Sequence, residues 1–246
     1  MLAAPRVCVL GGITRQSEPA HLISVRLVKW SPENCMPPLG PEANRIFRIT
    51  HIENVPYLLE HGIHCRSSRN LDPNFTSIGI AALIDRRSLR QVPIDPRGTL
   101  ADYVPFYFTP YSMMLLNITT GRGVEKRAKS EIVILVSSLD KLREMGCKTV
   151  FTDGHASMQG TNFYSDPASL DRIDWDIIKH RDFEKSEDDL DKSRRYQAEA
   201  LAHEHVPPNS LLGIACYDAD ASKSVTEQVK RCNLSLNVKT LPNFYF

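Results

Sequence analysis

Four stretches of this chain carry residue types that can do chemistry. Asp85-Arg86-Arg87-Ser88-Leu89-Arg90 gathers three guanidiniums, a cluster suited to phosphates or to a nucleic-acid backbone, with ordinary surface charge as the alternative. Arg194-Arg195-Tyr196-Gln197-Ala198-Glu199-Ala200-Leu201 reads as a helix on which Glu199 sits beside small and apolar neighbours; alone, that carboxylate is expected on the surface. Ile49-Thr50-His51-Ile52 ends an apolar strand on a threonine and a histidine, and a strand-end imidazole is either a satisfied structural group or a ligand contact. Tyr103-Val104-Pro105-Phe106-Tyr107-Phe108-Thr109-Pro110-Tyr111 packs five aromatics into nine residues and is cut by two prolines, which suits neither an ordinary central strand nor a helix. It is expected to be a buried strand ending at Pro105 or Pro110, or a wall whose rings and hydroxyls line a pocket for a nucleotide or a base.

The elements that must position these groups come from a chain long enough for one large domain, or one domain with an extension, at 246 residues. With 42% apolar and 24% charged residues it has the composition of a soluble globular protein. A net charge of +1 provides no global field to attract nucleic acid, so any such contact must be local. Cys8, Cys35, Cys65, Cys147, Cys216 and Cys232 are widely spaced, without a C-x-x-C pair or a Cys/His cluster, so free thiols and no metal site are expected. The longest apolar run, Ile132 to Val136, is too short to span a bilayer, and Met1 to Leu10 lacks the core of a secretion signal. A cytoplasmic protein is expected.

Residues 1–43 differ from the rest, with Pro5, Pro19, Pro32, Pro37, Pro38 and Pro41 spread around two strand-like runs, Val7 to Leu10 and Leu22 to Trp30, and they read as an extension. After a strand-like Ile46 to Ile49, Asn54 suits a helix N-cap, Pro56 the first turn and Gly62 a left-handed stop. Ile132 to Val136 reads as a buried strand, Leu139 to Met145 as a helix stopped by Gly146, and Lys148 to Thr152 as another strand. The charged stretch 180–192 reads as solvated. Leu211 to Tyr217 reads as a strand, Asp220 to Cys232 as a helix capped by Asp220 or Ser222, and Leu236 to Thr240 as the last strand. The class is α+β, without the βαβ rhythm or the Gly-rich turn of a dinucleotide-binding fold.

Taken in order, several of these segments resemble one known family. They are Arg48-Ile49-Thr50-His51-Ile52-Glu53-Asn54, the turn Glu60-His61-Gly62, Tyr103 to Phe108, Ser112-Met113-Met114-Leu115 and Phe151-Thr152-Asp153-Gly154-His155-Ala156, then Ile173-Asp174-Trp175, Gln197-Ala198-Glu199 and the Phe244-Tyr245-Phe246 end. Together they are similar to DarT, an ADP-ribosyltransferase of single-stranded DNA that serves as the toxin of a toxin and antitoxin pair. The resemblance covers residues 44–246, which become the transferase domain. After Pro110 the chain departs from the family pattern, with Tyr111 in place of a basic or small residue and Ser112-Met113-Met114-Leu115-Leu116 in place of Ser-Pro-Met-Leu-Tyr.

The resemblance implies an ADP-ribosyltransferase-like fold with NAD held in a cleft between two sheets, and no metal. It implies that His51 contributes to the NAD site together with the adjoining backbone at Thr50, and that His155 and Tyr107 lie close to the NAD. It assigns the essential arginine to the basic cluster, with Arg87 favoured by spacing and Arg86 and Arg90 left open, and it makes Glu199 the catalytic carboxylate. Breaking the bond from ribose C1′ to nicotinamide builds positive charge on the sugar, which a carboxylate held at a ribose hydroxyl stabilises more than the ground state. The implied target is a base in single-stranded DNA, thymine or, in some relatives, guanine. Arg66, Arg69, Arg90, Arg97, Arg122, Lys126, Arg127 and Lys129 are the candidate DNA contacts, and Thr119 to Arg127 reads as a mobile basic loop. A macrodomain antitoxin that reverses the modification is the implied partner, and a monomer is expected. The competing readings are an NAD glycohydrolase, a transferase acting on RNA or protein, and a non-catalytic nucleic-acid-binding module.

Overall fold

A strand covered on both faces is written as an uninterrupted apolar, β-branched run, and Ile132 to Val136 does form the first five residues of such a strand. The computed structural model describes residues 38–184 and 186–246. Val7 to Leu10, Leu22 to Trp30, Cys8 and Cys35 therefore lie outside the described residues, and of the extension at 1–43 only residues 38–43 are described.

The strands are β1 (Arg45–His51), β2 (Ile63–His64), β3 (Tyr103–Tyr107), β4 (Ile132–Ser138), β5 (Thr149–Thr152), β6 (Phe163–Tyr164), β7 (Glu199–His203), β8 (His205–Val206), β9 (Gly213–Cys216) and β10 (Asn237–Thr240). The α-helices are α1 (Val55–His61), α2 (Ala81–Leu89), α3 (Met113–Thr120), α4 (Leu139–Glu144), α5 (Trp175–His180), α6 (Lys192–Tyr196) and α7 (Ala219–Arg231). Eight strands run in the order β10-β9-β4-β1-β3-β7-β5-β6, and β2 pairs separately with β8.

The large sheet is two half-sheets joined at a narrow seam. β1 keeps full register with β4, from Arg45 opposite Ser138 to His51 opposite Ile132, and β3 keeps it with β7, from Tyr103 opposite His203 to Tyr107 opposite Glu199. Between β1 and β3 the single register pair is Phe47 with Tyr107. Beyond it the two strands splay apart, and a cleft opens between Arg48 to Thr50 on one side and Tyr103 to Pro105 on the other.

That splay explains why β3 runs straight through Pro105 instead of ending there. The Pro105 carbonyl points toward β1, where it accepts a hydrogen bond from Arg48 Nη1 at 2.9 Å. The missing N–H therefore belongs to the side that β1 has already left, and no ladder bond is lost. The sheet order makes β3 central, yet its proline side behaves as an edge.

Two other expectations change. Glu199 does not ride on a helix: α6 stops at Tyr196, and Glu199 is the first residue of β7, 1% exposed rather than on the surface. Glu, Ala and Leu favour helix locally, but pairing with β3 on one side and β5 on the other overrides that preference. Asp218, not Asp220 or Ser222, caps α7 by accepting from the Ala221 N–H at 2.9 Å. Thr119 and Thr120 belong to α3 rather than to the following loop. Gly62 ends α1 at φ +82, and a Cβ there would meet the Val206 carbonyl at 2.6 Å, so the turn into β2 requires glycine. No helix among the described residues is long and apolar enough to cross a membrane.

Candidate active site

The cleft between the half-sheets is closed on its outer side by the loop Leu71 to Ile80 and by α2, and its wall includes Arg48, Thr50, Tyr107, Arg87 and His155. α2 buries none of its residues. It carries Arg87 over the cleft, and Arg87 Nη1 meets the Glu199 carboxylate, donating to Oε1 at 3.1 Å and lying 2.9 Å from Oε2. The shorter approach is off the N–H direction, so Oε1 is the acceptor. Oε1 also accepts from the Ala156 N–H at 2.9 Å, and His155 Nδ1 stands 3.6 Å away. Among the described residues the buried Arg87 Nη2 has no hydrogen-bond partner, a donor still available to a ligand.

Side-chain exposures of 2% for Glu199 and 14% for Arg87 make this a largely desolvated ion pair. Such a pair is held by geometry rather than by screened attraction. Its geometry comes from the strand end: the Glu199 N–H donates to Thr152 Oγ1 at 3.1 Å, and Thr152 in turn donates to the Gly154 carbonyl at 2.6 Å. The carboxylate is thus anchored to the turn that presents His155.

Tyr107 faces Glu199 across the β3–β7 ladder. Burial and the Glu199 charge push its phenol up to about 12, so it stays a donor at any physiological pH. Thr50 is buried, and its hydroxyl accepts from Asn54 Nδ2 at 3.0 Å. Asn54 was expected to cap α1 but makes no side-chain cap bond there. Instead its amide clamps the cleft loop, donating to the Thr76 carbonyl at 2.9 Å and accepting from the Thr76 N–H at 2.8 Å.

His51 stands apart from this group. Strand alternation turns it to the face opposite Thr50, where its Nδ1 accepts from the Glu53 N–H at 3.3 Å and its Nε2 is 3.8 Å from Glu131 Oε1. The ring caps the turn after β1 and does not line the cleft. Arg48, three residues earlier, does line it, and Arg86 and Arg90 do not. Arg48 and Asn54 lie in the same family-like segment as His51, and nothing in their residue types marks them as the ones that meet the cleft.

The turn carrying His155 is tied down from behind. Arg194 Nη1 donates to Asp153 Oδ1 at 3.0 Å and to Thr161 Oγ1 at 3.2 Å, and its Nη2 and Nε both reach Asp191. A Cβ on Gly154 would stand 2.3 Å from Arg194 Nη1, and these bonds leave that guanidinium no free movement. Gly154→Ala is therefore expected to cost about 1–3 kcal/mol and to depress turnover by displacing His155, as thermal unfolding and kcat measured on one preparation will show.

Burial holds the His155 imidazole below its ordinary range, outweighing the pull of Glu199, and Arg87 adds to the fall. A folded pKa below the unfolded one means that the neutral ring favours the fold. Its contribution is complete above the unfolded value and is lost as pH falls through the folded value. His155→Gln should accordingly lose less melting temperature between pH 7.5 and pH 5 than the parent chain, and equal losses would remove His155 from that titration.

Among the described residues no cluster of His, Cys, Asp and Glu is arranged to hold a metal ion. A family model described as ssDNA thymidine ADP-ribosyltransferase, DarT, matches residues 47–246. The chain belongs to the DarT family. It is 44% identical over 209 residues to a DNA ADP-ribosyl transferase of Escherichia coli O127:H6, a match spanning 85% of this chain and 96% of that protein. The DarT of Thermus sp. 2.9 in complex with ADP-ribosylated ssDNA superposes with a TM-score of 0.78 at 29% identity, covering 86% of this chain and all of that one. The same Thermus protein in complex with NAD+ gives a TM-score of 0.74 at 28% identity, covering 84% of this chain and 100% of that one. A DNA ADP-ribosyl transferase-DNA ADP-ribosyl glycohydrolase fusion protein of Thermosipho africanus is 26% identical over 208 residues, 84% of this chain and 50% of that one.

The departure of this DarT chain after Pro110 has a structural use. Tyr111 is fully buried, with the Arg181 guanidinium 3.4 Å from its ring centroid, its ring edge-on to Phe246 and its hydroxyl bonded to the Asn243 carbonyl. It pins the C-terminal aromatics to the core, while Met114, which matches the family's methionine, reaches the cleft wall. Of the basic residues named for DNA, Arg66 lines the cleft mouth, Arg127 pairs with Glu125 at 2.7 Å, and Lys129 lies 5.3 Å from the Tyr217 ring centroid.

Proposed function

We infer that this chain breaks NAD at the nicotinamide ribose and transfers the ADP-ribose to a base of single-stranded DNA, with thymine the target that the family description favours. The observation that carries this reading is the Glu199–Arg87 pair, buried at the wall of the cleft beside Tyr107 and His155 in a chain of the DarT family. NAD is the substrate, and no metal is needed, because the charge that develops is positive and sits on carbon.

In the proposed step the C1′–nitrogen bond breaks, its electron pair leaves with nicotinamide, and that pyridinium becomes neutral. Glu199 holds a ribose hydroxyl and stabilises the oxocarbenium-like ring. The base nitrogen then forms the new bond to C1′ and loses its proton, for which Glu199 is the acceptor placed at the site. Arg87 keeps the carboxylate oriented and offers its free Nη2 to the substrate. Thr50 and the β1 backbone beside it border the nicotinamide end, Tyr107 and His155 line the same wall, and His51 serves the turn rather than the ligand.

The toxin role follows from membership of the family, and the joined glycohydrolase of the Thermosipho relative supports a partner that removes the modification, a macrodomain antitoxin in this reading. The reaction belongs to the cytoplasm, where NAD and DNA meet. Incubation with NAD and labelled oligonucleotides, read by mass spectrometry, tests the assignment: ADP-ribose should appear on a base of single-stranded DNA. Free ADP-ribose without labelled DNA would make the chain an NAD glycohydrolase.

A further inference from the structure

The cover of the cleft is lightly held. Residues 71–80 contain no helix or strand, and α2, which follows them, buries none of its residues. Among the described residues no backbone-to-backbone hydrogen bond joins 71–80 to anything beyond α2. There, every hydrogen bond from this loop to the body of the fold passes through Thr76. Its carbonyl accepts from Asn54 Nδ2 at 2.9 Å, its N–H donates to Asn54 Oδ1 at 2.8 Å, and its hydroxyl donates to Glu53 Oε2 at 3.1 Å. The other tether of the cover is the Arg87–Glu199 pair, reached from α2.

The two partners of Thr76 differ in kind. The Glu53 side chain is exposed, and its bond competes with water. Asn54 is only 3% exposed, and besides its two bonds to Thr76 its Nδ2 also donates to Thr50 Oγ1 at 3.0 Å. One buried side chain therefore joins the β1 floor of the cleft to its cover. An amide whose donors and acceptor are all engaged is fixed in orientation. The turn that presents it is fixed as well, because His51 Nδ1 accepts from the Glu53 N–H at 3.3 Å.

We propose that Asn54 is a positioning residue that keeps the cover closed, so that the wall formed by Leu71, Phe75, Ile78 and Ile80 meets the substrate already in place. The proposal deepens the NAD reading above and rests on it. A dinucleotide can enter only when the loop and α2 lift, and Arg87, one of the two tethers, is itself drawn into the reaction. Asn54 holds the loop independently of that chemistry. A cover that stands open for a larger fraction of the time lowers apparent affinity by that fraction and leaves the steps of the bound state as they were.

Asn54→Asp keeps the shape and the acceptor for the Thr76 N–H but sets a carboxylate oxygen against the Thr76 carbonyl. It should raise KM for NAD by about fivefold to fiftyfold and leave kcat at saturating NAD within about threefold. Hydrogen exchange without ligand should quicken over 71–80 while β1 and α1 keep their protection. Glu53→Ala, which removes only the exposed bond, should leave both readouts within about twofold of the parent. Unchanged KM, or a loss confined to kcat, would overturn the proposal. Exchange that quickens in β1 and α1 as much as in the loop would reduce Asn54 to a structural residue, and a Glu53→Ala effect as large as that of Asn54→Asp would move the tether to the carboxylate. Should the Asp variant fail to fold, Thr76→Pro, which deletes the donated N–H from the half-buried loop, decides by the same readouts. If the parent chain binds no ADP-ribose and consumes no NAD, it is the functional reading that fails, and the exchange difference still decides whether Asn54 holds the loop.

Discussion

Glu199→Gln is expected to lower transfer to single-stranded DNA by about a hundredfold to a thousandfold in kcat while leaving NAD affinity within a few-fold. The amide preserves shape and can keep its carbonyl on the Ala156 N–H, so the strand end, the Thr152 bond and the cleft wall stay in place. What is lost is the negative charge, and charge is what the sugar develops only on the way to the transition state. Gln is a cleaner probe than Ala, because Ala leaves the Arg87 guanidinium facing an empty, desolvated space. Single-turnover measurements at saturating NAD separate the two effects. Retention of parental turnover would remove Glu199 from catalysis, and a matching loss of NAD binding would make it a binding residue.

Arg87→Ala is the second large effect. It strips the cation from a carboxylate whose side chain is 2% exposed. The expected cost from breaking such a pair is about 3–5 kcal/mol, toward the lower end because α2 buries none of its residues and water can follow the lost side chain. Turnover should fall by at least about a hundredfold, since the same guanidinium orients Glu199 and offers Nη2 to the substrate. Arg87→Lys should restore the fold and little of the rate, because an ammonium cannot span the carboxylate and a ligand together. Thermal unfolding with and without ADP-ribose, beside kcat, reads the two losses apart. Arg86→Ala serves as the control, since Arg86 is exposed and does not line the cleft; an Arg86→Ala loss as large as that of Arg87→Ala would show that the cluster acts through its charge alone.

How much of this was legible depends on whether the signal is local. The β4 run, the extent of α1 and the α7 pattern are written in consecutive residues, and they appear within one or two positions of where the sequence puts them. Glu199 was legible as a residue but not as a place. Its neighbours Ala198, Ala200 and Leu201 suit a helix, and only pairing with β3 and β5 turns the segment into a buried strand. His51 and Thr50 show the reverse case. Adjacent residues in a strand face opposite ways, so a motif containing both cannot send both side chains to one ligand, and the seam decides which of them meets the cleft.

From the amino-acid sequence alone came the α+β class and the family, and through that resemblance the NAD chemistry and the candidates Arg87 (with Arg86 and Arg90 left open), His155 and Glu199, because residue order suffices to match a family. The tertiary structure alone decided that β1 and β3 part after a single register pair, that Pro105 loses nothing by lacking an N–H, and that Arg48 rather than His51 looks into the gap. The reason is that a cleft is a failure of pairing between strands more than fifty residues apart. Nothing within either strand records where its partner leaves; only the two backbones together do.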